Sequence, residues 1–211
     1  MDERVSIRAH FERFPATVKG AFVLKAADRN PHQVRIDAAR VREMSGLGAF
    51  PIGLDSVTLD VAPNLDLFVP FEFAITELSA GWYDLECDVA IDGDRENVRP
   101  PKRFAVAWPR ATVRRGLLKV DKTARVEGGP KVHVEQVECG GDSIRVAYAT
   151  SPADDVTIRL AVDDVPLPIL ESEFDRETGV GRVTAYPVMR THSRLSIDVD
   201  GLPAPIEVPL P

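Results

Sequence analysis

Apolar and polar residues alternate with a period of two along most of the chain, the pattern of β-strands that bury one face. Near the start, Val5, Ile7, Ala9 and Phe11 point one way and Arg4, Ser6, Arg8 and His10 the other. The next runs set Val18, Gly20, Phe22 and Leu24 against Lys19 and Lys25, then Val34, Ile36 and Ala38 against Gln33, Arg35 and Asp37. Val57, Leu59 and Val61 follow, and after them Leu67, Val69, Phe71, Phe73 and Ile75. Pro70 lies on the outward register of that last run and has no N–H for a ladder, so the strand is expected at an edge or a bulge. Only Ala38 to Met44 suggests a helix, of two turns at most, stopped by Ser45-Gly46-Leu47-Gly48. A strand of Phe104, Val106 and Trp108, with Trp108 directed into the core, ends at Pro109.

Further runs of the same period centre on Val132 and Val134, on Ile144, Val146 and Tyr148, and on Val156, Ile158, Leu160 and Val162. Leu167 and Ile169, Val183 and Ala185, Leu195, Ile197 and Val199, and Ile206 and Val208 complete the series. Turn signals such as Gly140-Gly141-Asp142, Ser151-Pro152, Thr178-Gly179 and Asp200-Gly201 separate them at sandwich spacing. The fold expected is all-β: two tandem antiparallel β-sandwich domains, 1–109 and 110–211. A chain of 211 residues suits two units of roughly 100 each. Eleven of the fourteen aromatic residues precede Pro109, which predicts a core of large rings in the first domain and an aliphatic core in the second.

The segment Leu78-Ser79-Ala80-Gly81-Trp82-Tyr83-Asp84-Leu85-Glu86-Cys87 resembles the corner between strands E and F of immunoglobulin-like and fibronectin type III-like sandwiches. The resemblance implies that Tyr83 packs inward and that its hydroxyl bonds back to the preceding turn. It also implies that the strand from Asp84 lies between two neighbours. Cys87 stands four residues past Tyr83 and no earlier cysteine faces it, so the disulfide of antibody domains is not expected.

Composition narrows the function classes. The formal net charge of −7 argues against a grip on phosphate backbones, which needs a concentrated positive face, so no nucleic-acid partner is expected. No apolar run reaches the roughly 18 residues of a membrane span, and Met1-Asp2-Glu3-Arg4 opens no secretory signal, so a cytoplasmic protein is expected. Usage rich in Ala, Val, Arg, Asp and Pro points to a bacterial source. Cys87 and Cys139 fall in different domains and read as reduced, packed thiols.

No motif of reaction chemistry emerges, and no cofactor is expected. His10, His32, His133 and His192 are scattered without metal-ligand spacing. Gly-x-Ser-x-Gly, phosphate-binding and dinucleotide-binding loops are absent from the sequence. Asp92-Gly93-Asp94-Arg95-Glu96-Asn97 spaces oxygens like a calcium loop, but Arg95 and Val98 break the ligand series and a polar hairpin is the better reading. Asp84, Glu86, Asp88 and Asp92 line one outward strand face, open to a cation or a basic partner. Cross-strand pairing with Arg35 and Arg103 accounts for the same ladder without a ligand.

Arg110, Arg114, Arg115, Lys119, Lys122 and Arg125 form a basic stretch at the domain junction, with Asp121 alone against it. It either docks an anionic partner, with Arg110, Arg114, Arg115 and Lys119 as candidate contacts, or protects an exposed first strand from edge-to-edge pairing. The function expected is a non-enzymatic protein-interaction or structural module that binds a protein partner through sheet edges, loops or the junction. Alternatives are a carbohydrate or small-ligand module using Trp82, Trp108 or the rings around Phe68 and Phe71, and an enzyme with residues gathered at the domain interface. Nothing in the pattern sets an oligomeric state.

Overall fold

The computed structural model describes residues 4–46 and 48–210, and in it the chain is all-β and antiparallel. The readings on Met1, Asp2, Glu3 and Leu47 lie outside the described residues. No helix among the described residues is long and apolar enough to cross a membrane. The chain divides into two compact units, one ending at Val106 and the other beginning at Ala107.

The first unit comprises β1 (Val5–Arg13), β2 (Thr17–Ala26), β3 (His32–Glu43), β4 (Ala49–Ile52), β5 (Val57–Val61), β6 (Leu67–Ala74), β7 (Gly81–Ile91), β8 (Asp94–Val98) and β9 (Arg103–Val106). One sheet runs β1-β2-β6. In the other, β3 and β7 pair centrally, β4 and β5 pair with β3, and β8 and β9 pair with β7. Their inner faces share one core in which Phe22, Phe71, Phe73, Tyr83 and Phe104 pack with Leu24, Ile36, Leu85 and Val89. Pro70 lies on β6, an edge strand, where a missing ladder donor costs nothing.

The short helix expected from Ala38 to Met44 is not formed, because Ala38–Glu43 continues β3 as far as Glu43. A bulge between Ile36 and Ala38 reverses the alternation, so Ala38 turns outward while Ala39 and Val41 face the core. Beyond the bulge Arg40 and Arg42 point away from the core, beside β7. Seen without the bulge, the two phases overlap into an irregular pattern that imitates a helix.

Tyr83 is fully buried, stacks on Phe104 and donates its hydroxyl proton to the Ser79 carbonyl at 2.9 Å. Gly81 has no side chain because the Glu43 carboxylate fills the space: a Cβ there would lie 3.0 Å from Glu43 Oε1. Glu43 is itself buried and accepts from the amide and the hydroxyl of Ser45, closing the turn after β3.

The second unit comprises β10 (Gly116–Arg125), β11 (Lys131–Cys139), β12 (Ile144–Ser151), β13 (Ile158–Val162), β14 (Val165–Pro166), β15 (Ile169–Asp175), β16 (Val180–Ala185), β17 (Arg194–Val199) and β18 (Ile206–Pro209). Its sheets run β10-β11-β12-β16-β15 and β14-β13-β17-β18, an order unlike that of the first unit. Val132, Val134, Ile144, Val146, Leu160, Leu195 and Ile197 build an aliphatic core around Tyr148. The Tyr148 ring lies over Gly181, where a Cβ would come within 2.1 Å of Cζ. Trp108 is not a core residue of the first unit, because β9 stops at Val106. It is half-buried, edge-on against Tyr186 of the second unit.

Candidate interaction face

The outer face of the β3–β7 sheet carries an array of arginines and carboxylates. Alternation along β7 points Asp84, Glu86, Asp88 and Ala90 outward, and pairing sets Arg42 opposite Asp84 and Arg40 opposite Glu86 on β3. Glu86 is fully buried although it faces outward, because guanidinium groups cover it. Arg40 Nε donates to its Oε2 at 2.9 Å, and Arg42 reaches Oε1 at 2.7 Å and Oε2 at 3.1 Å. Arg99, in the chain leaving β8, places its Nε 2.7 Å from Oε1. Arg40 also grips Asp88 with two nitrogens, at 2.6 and 3.0 Å, and Asn97 donates to the same carboxylate at 2.8 Å. Arg103 on β9 donates to Asp84 at 2.9 Å.

The electrostatics follow from these contacts. Hydrogen bonds from Arg42, and next from Arg40, hold the Glu86 carboxyl below its ordinary range against the opposing effect of burial. Arg40, then Asn97, does the same for Asp88, while the Asp88 and Glu86 carboxylates raise the Arg40 guanidinium further still. Glu86, Asp88 and Arg40 are therefore ionised throughout the physiological range.

The predicted cross-strand pairing holds for Arg103 but not for Arg35, which pairs with Asp37 on its own strand at 2.7 Å. Arg35 lies opposite Ala90, and the bulge at Ile36–Ala38 turns Arg40 and Arg42 outward, into the rows of Glu86 and Asp84. From the Arg35 row to the Arg103 row, six arginines (35, 40, 42, 95, 99 and 103) meet four carboxylates (37, 84, 86 and 88). In a chain of net charge −7 these rows have a positive surplus, opposite in sign to that suggested by the acidic ladder alone, and Asp60 of β5, opposite Gln33, lies just beyond them.

Arg95 carries much of the surplus. It sits on β8 opposite Ala90, and among the described residues it has no ion pair. Ala90 is small enough to leave a floor between the arginines. A depression of about 250 Å³ is lined by Gln33, Arg35, Thr58, Ala90, Gly93 and Arg95. Another, of about 520 Å³, is lined by Arg35, Asp37, Asp88, Arg95, Glu96 and Asn97.

The basic stretch after Pro109 is dispersed by folding. Val113 is fully buried and bridges Met189, and Arg114 donates to the carbonyls of Arg190 and His192, so Arg114 fastens the 189–192 loop. Arg110 and Arg115 are exposed, the latter with its guanidinium over Gly141. Lys119, 83% exposed, lies 3.9 Å from Asp121. Lys122 is tied to the Glu207 carbonyl, and Arg125 ends β10 on the surface. β10 is an edge strand with a bulge between Lys119 and Lys122, the devices that discourage edge pairing.

Of the histidines, His10 is exposed, His133 bonds Thr123 and His192 accepts from the Met189 amide. His32 is buried between two aspartates. Asp92 and Gly93 make the two-residue β7–β8 hairpin turn, with φ of 52° and 94°. Among the described residues no three His, Cys, Asp or Glu side chains could hold a metal ion. Both cysteines are free and buried, and burial pushes the Cys87 thiol up to about 12. No protein-family model matches the chain, and no curated protein matches it in sequence.

Arg40, Arg42 and Arg99 escaped the sequence reading, and Arg95 entered it only as a break in a calcium-loop pattern. The signal for two of them was present as the alternation of Ala39, Arg40, Val41 and Arg42. Its phase is displaced by one residue from the run before it.

Proposed function

We propose that the protein is a non-enzymatic interaction module that docks an acidic segment of a protein partner on the outer face of β3, β7, β8 and β9. The observation that carries this reading is the uncompensated cationic character of a face built on rigid strands. Arg95 has no acidic partner among the described residues, and Arg42 and Arg99 share the single carboxylate of Glu86. Arginine forks of this kind keep unused N–H donors directed outward, suited to carboxylates. The corner at Tyr83 and the β1-β2-β6 order support an immunoglobulin-like or fibronectin type III-like reading of the first unit.

Fluorescence anisotropy with a labelled Glu-rich peptide, and with a Lys-rich peptide of equal length, tests the proposal. The acidic peptide is expected to bind, more weakly as salt rises, and the basic one is not. Arg95→Glu should lower affinity about fivefold, the worth of one exposed charge pair of about 1 kcal/mol. Binding of both peptides alike, or unchanged affinity in Arg95→Glu, would refute the assignment of this face.

A further inference from the structure

His32 opens β3 and is only 7% exposed, opposite the fully buried Val61 of β5. Its Nδ1 lies 2.7 Å from Asp92 Oδ2 and its Nε2 lies 2.8 Å from Asp28 Oδ1. Asp28 belongs to the β2–β3 loop and Asp92 to the β7–β8 turn, so one ring ties two connections together. The second oxygen of Asp92 accepts the Gln33 amide at 2.9 Å, and the Asp92 amide donates to the Gln33 carbonyl at 2.9 Å.

An ionised carboxylate only accepts hydrogen bonds, and a neutral imidazole has one N–H. Both contacts are therefore hydrogen bonds only while the ring carries two protons. In the neutral ring one nitrogen lone pair would face a carboxylate oxygen at hydrogen-bonding distance, a repulsive arrangement. The surrounding charges favour the imidazolium. Asp28 is fixed by Asn30, which donates to it from backbone and side chain. Arg4, ahead of β1, lies 3.9 Å from Asp92 but is engaged at 2.9 Å by Asp94, with Glu96 3.8 Å away. From β5, the residue paired with His32 is the apolar Val61.

We propose that His32 is a protonation-controlled latch on the β7–β8 hairpin, closed while the imidazolium bridges Asp28 and Asp92 and released when the ring loses a proton. The hairpin carries Arg95, so the latch also governs how firmly that arginine is presented, a consequence that rests on the docking reading above. The sign follows from the contacts: hydrogen bonds to Asp92, and next to Asp28, raise the ring above its ordinary 6.5 against the effect of burial. The latch is thus closed at and below 6.5 and opens as pH rises through the raised value. Asp92 and Asp28 are held below their ordinary 3.8, so it persists well into the acid range.

Nuclear magnetic resonance on the full chain tests this directly. Ring nitrogen shifts report the protonation of His32, and amide-exchange protection of Gln33 reports the turn. In the wild type the ring should titrate above 6.5, and Gln33 protection should fall with its deprotonation, up to about tenfold for each unit by which the fold raises the pKa. His32→Gln should abolish the transition. Asp92→Asn supplies the conservative control: its Oδ1 keeps the Gln33 amide while its Nδ2 donates to Nδ1 of a neutral ring, whose Nε2–H serves Asp28. Protection in that variant should stay high across the same pH range. A ring that titrates at or below 6.5, or a transition that Asp92→Asn leaves unchanged, overturns the latch. Binding of the acidic peptide, measured on the wild type and Asp92→Asn at both ends of the transition, separates the two readings. If the local signals behave as expected and peptide affinity ignores them, the latch stands and its link to docking fails.

Discussion

Glu86→Gln isolates the charge at the centre of the arginine array with little change of volume. Glu86 receives four N–H contacts of 2.7 to 3.1 Å from three guanidinium groups. At about 1.5 kcal/mol for each charge-assisted bond, the ceiling is about 6 kcal/mol. The side chains of Arg42 and Arg99 are 41% and 58% exposed, so water recovers much of what they lose, and their contacts count nearer to surface pairs of about 0.5–1 kcal/mol each. Glutamine also keeps one acceptor oxygen while setting an amide N–H₂ against a guanidinium, donor against donor. The net destabilisation expected is about 2–3 kcal/mol. Arg99→Ala removes one exposed contact and should cost about 1 kcal/mol or less. Urea unfolding reads the difference: Trp82 lies on β7 and Trp108 in the second unit, so Trp108→Phe leaves a fluorophore specific to the first unit. With a slope of about 1–2 kcal/mol per molar for a unit of this size, Glu86→Gln should lower the midpoint by about 1–3 M. Since the folded carboxyl titrates below its ordinary 4.5, its stabilisation is present above 4.5 and is lost as pH falls through the depressed value. The gap between wild type and variant must therefore narrow in acid. A loss under about 0.5 kcal/mol at neutral pH, or one no larger than that of Arg99→Ala, would show that the array does not stabilise this sheet.

Other consequences can be checked separately. Tyr83→Phe deletes the bond to the Ser79 carbonyl and should cost about 1 kcal/mol in the same assay, with the stacking on Phe104 retained. Gly181→Ala forces a methyl into the Tyr148 ring and should destabilise the second unit by about 1–3 kcal/mol, measured by thermal unfolding; a neutral result would mean that the ring moves freely. Native protein at pH 8 should resist iodoacetamide at Cys87, whose thiol is pushed up to about 12 chiefly by burial, and should label at both cysteines in urea. Arg114→Ala should loosen the 189–192 loop, seen as faster amide exchange at Arg190, whereas Arg115→Ala should leave it unchanged.

Much of the fold was legible because strand alternation is a local property. Val5, Ile7 and Ala9, or Ile144, Val146 and Tyr148, lie inside because neighbouring positions of a pleated chain point to opposite faces. The Asp92-Gly93 turn and the inward Tyr83 were equally local, depending on left-handed backbone tolerance and on a short corner motif. The arginine–carboxylate face was less legible. The acids of β7 were visible, but the arginines that meet them come from β3, from β9 and from the chain after β8. The basic stretch at 110–125 shows the converse: charges adjacent in sequence are dispersed by a bulged edge strand and by the anchoring of Arg114.

By itself, then, the amino-acid order determined which segments are strands and, for most, which side chains face inward, since both follow from spacing along one chain. Only the tertiary structure decided that the ladder of Asp84, Glu86 and Asp88 carries a surplus of arginine and that His32 joins two loops. Those contacts depend on strand register, and a single bulge between Ile36 and Ala38 turned Arg40 and Arg42 outward into the rows of Glu86 and Asp84.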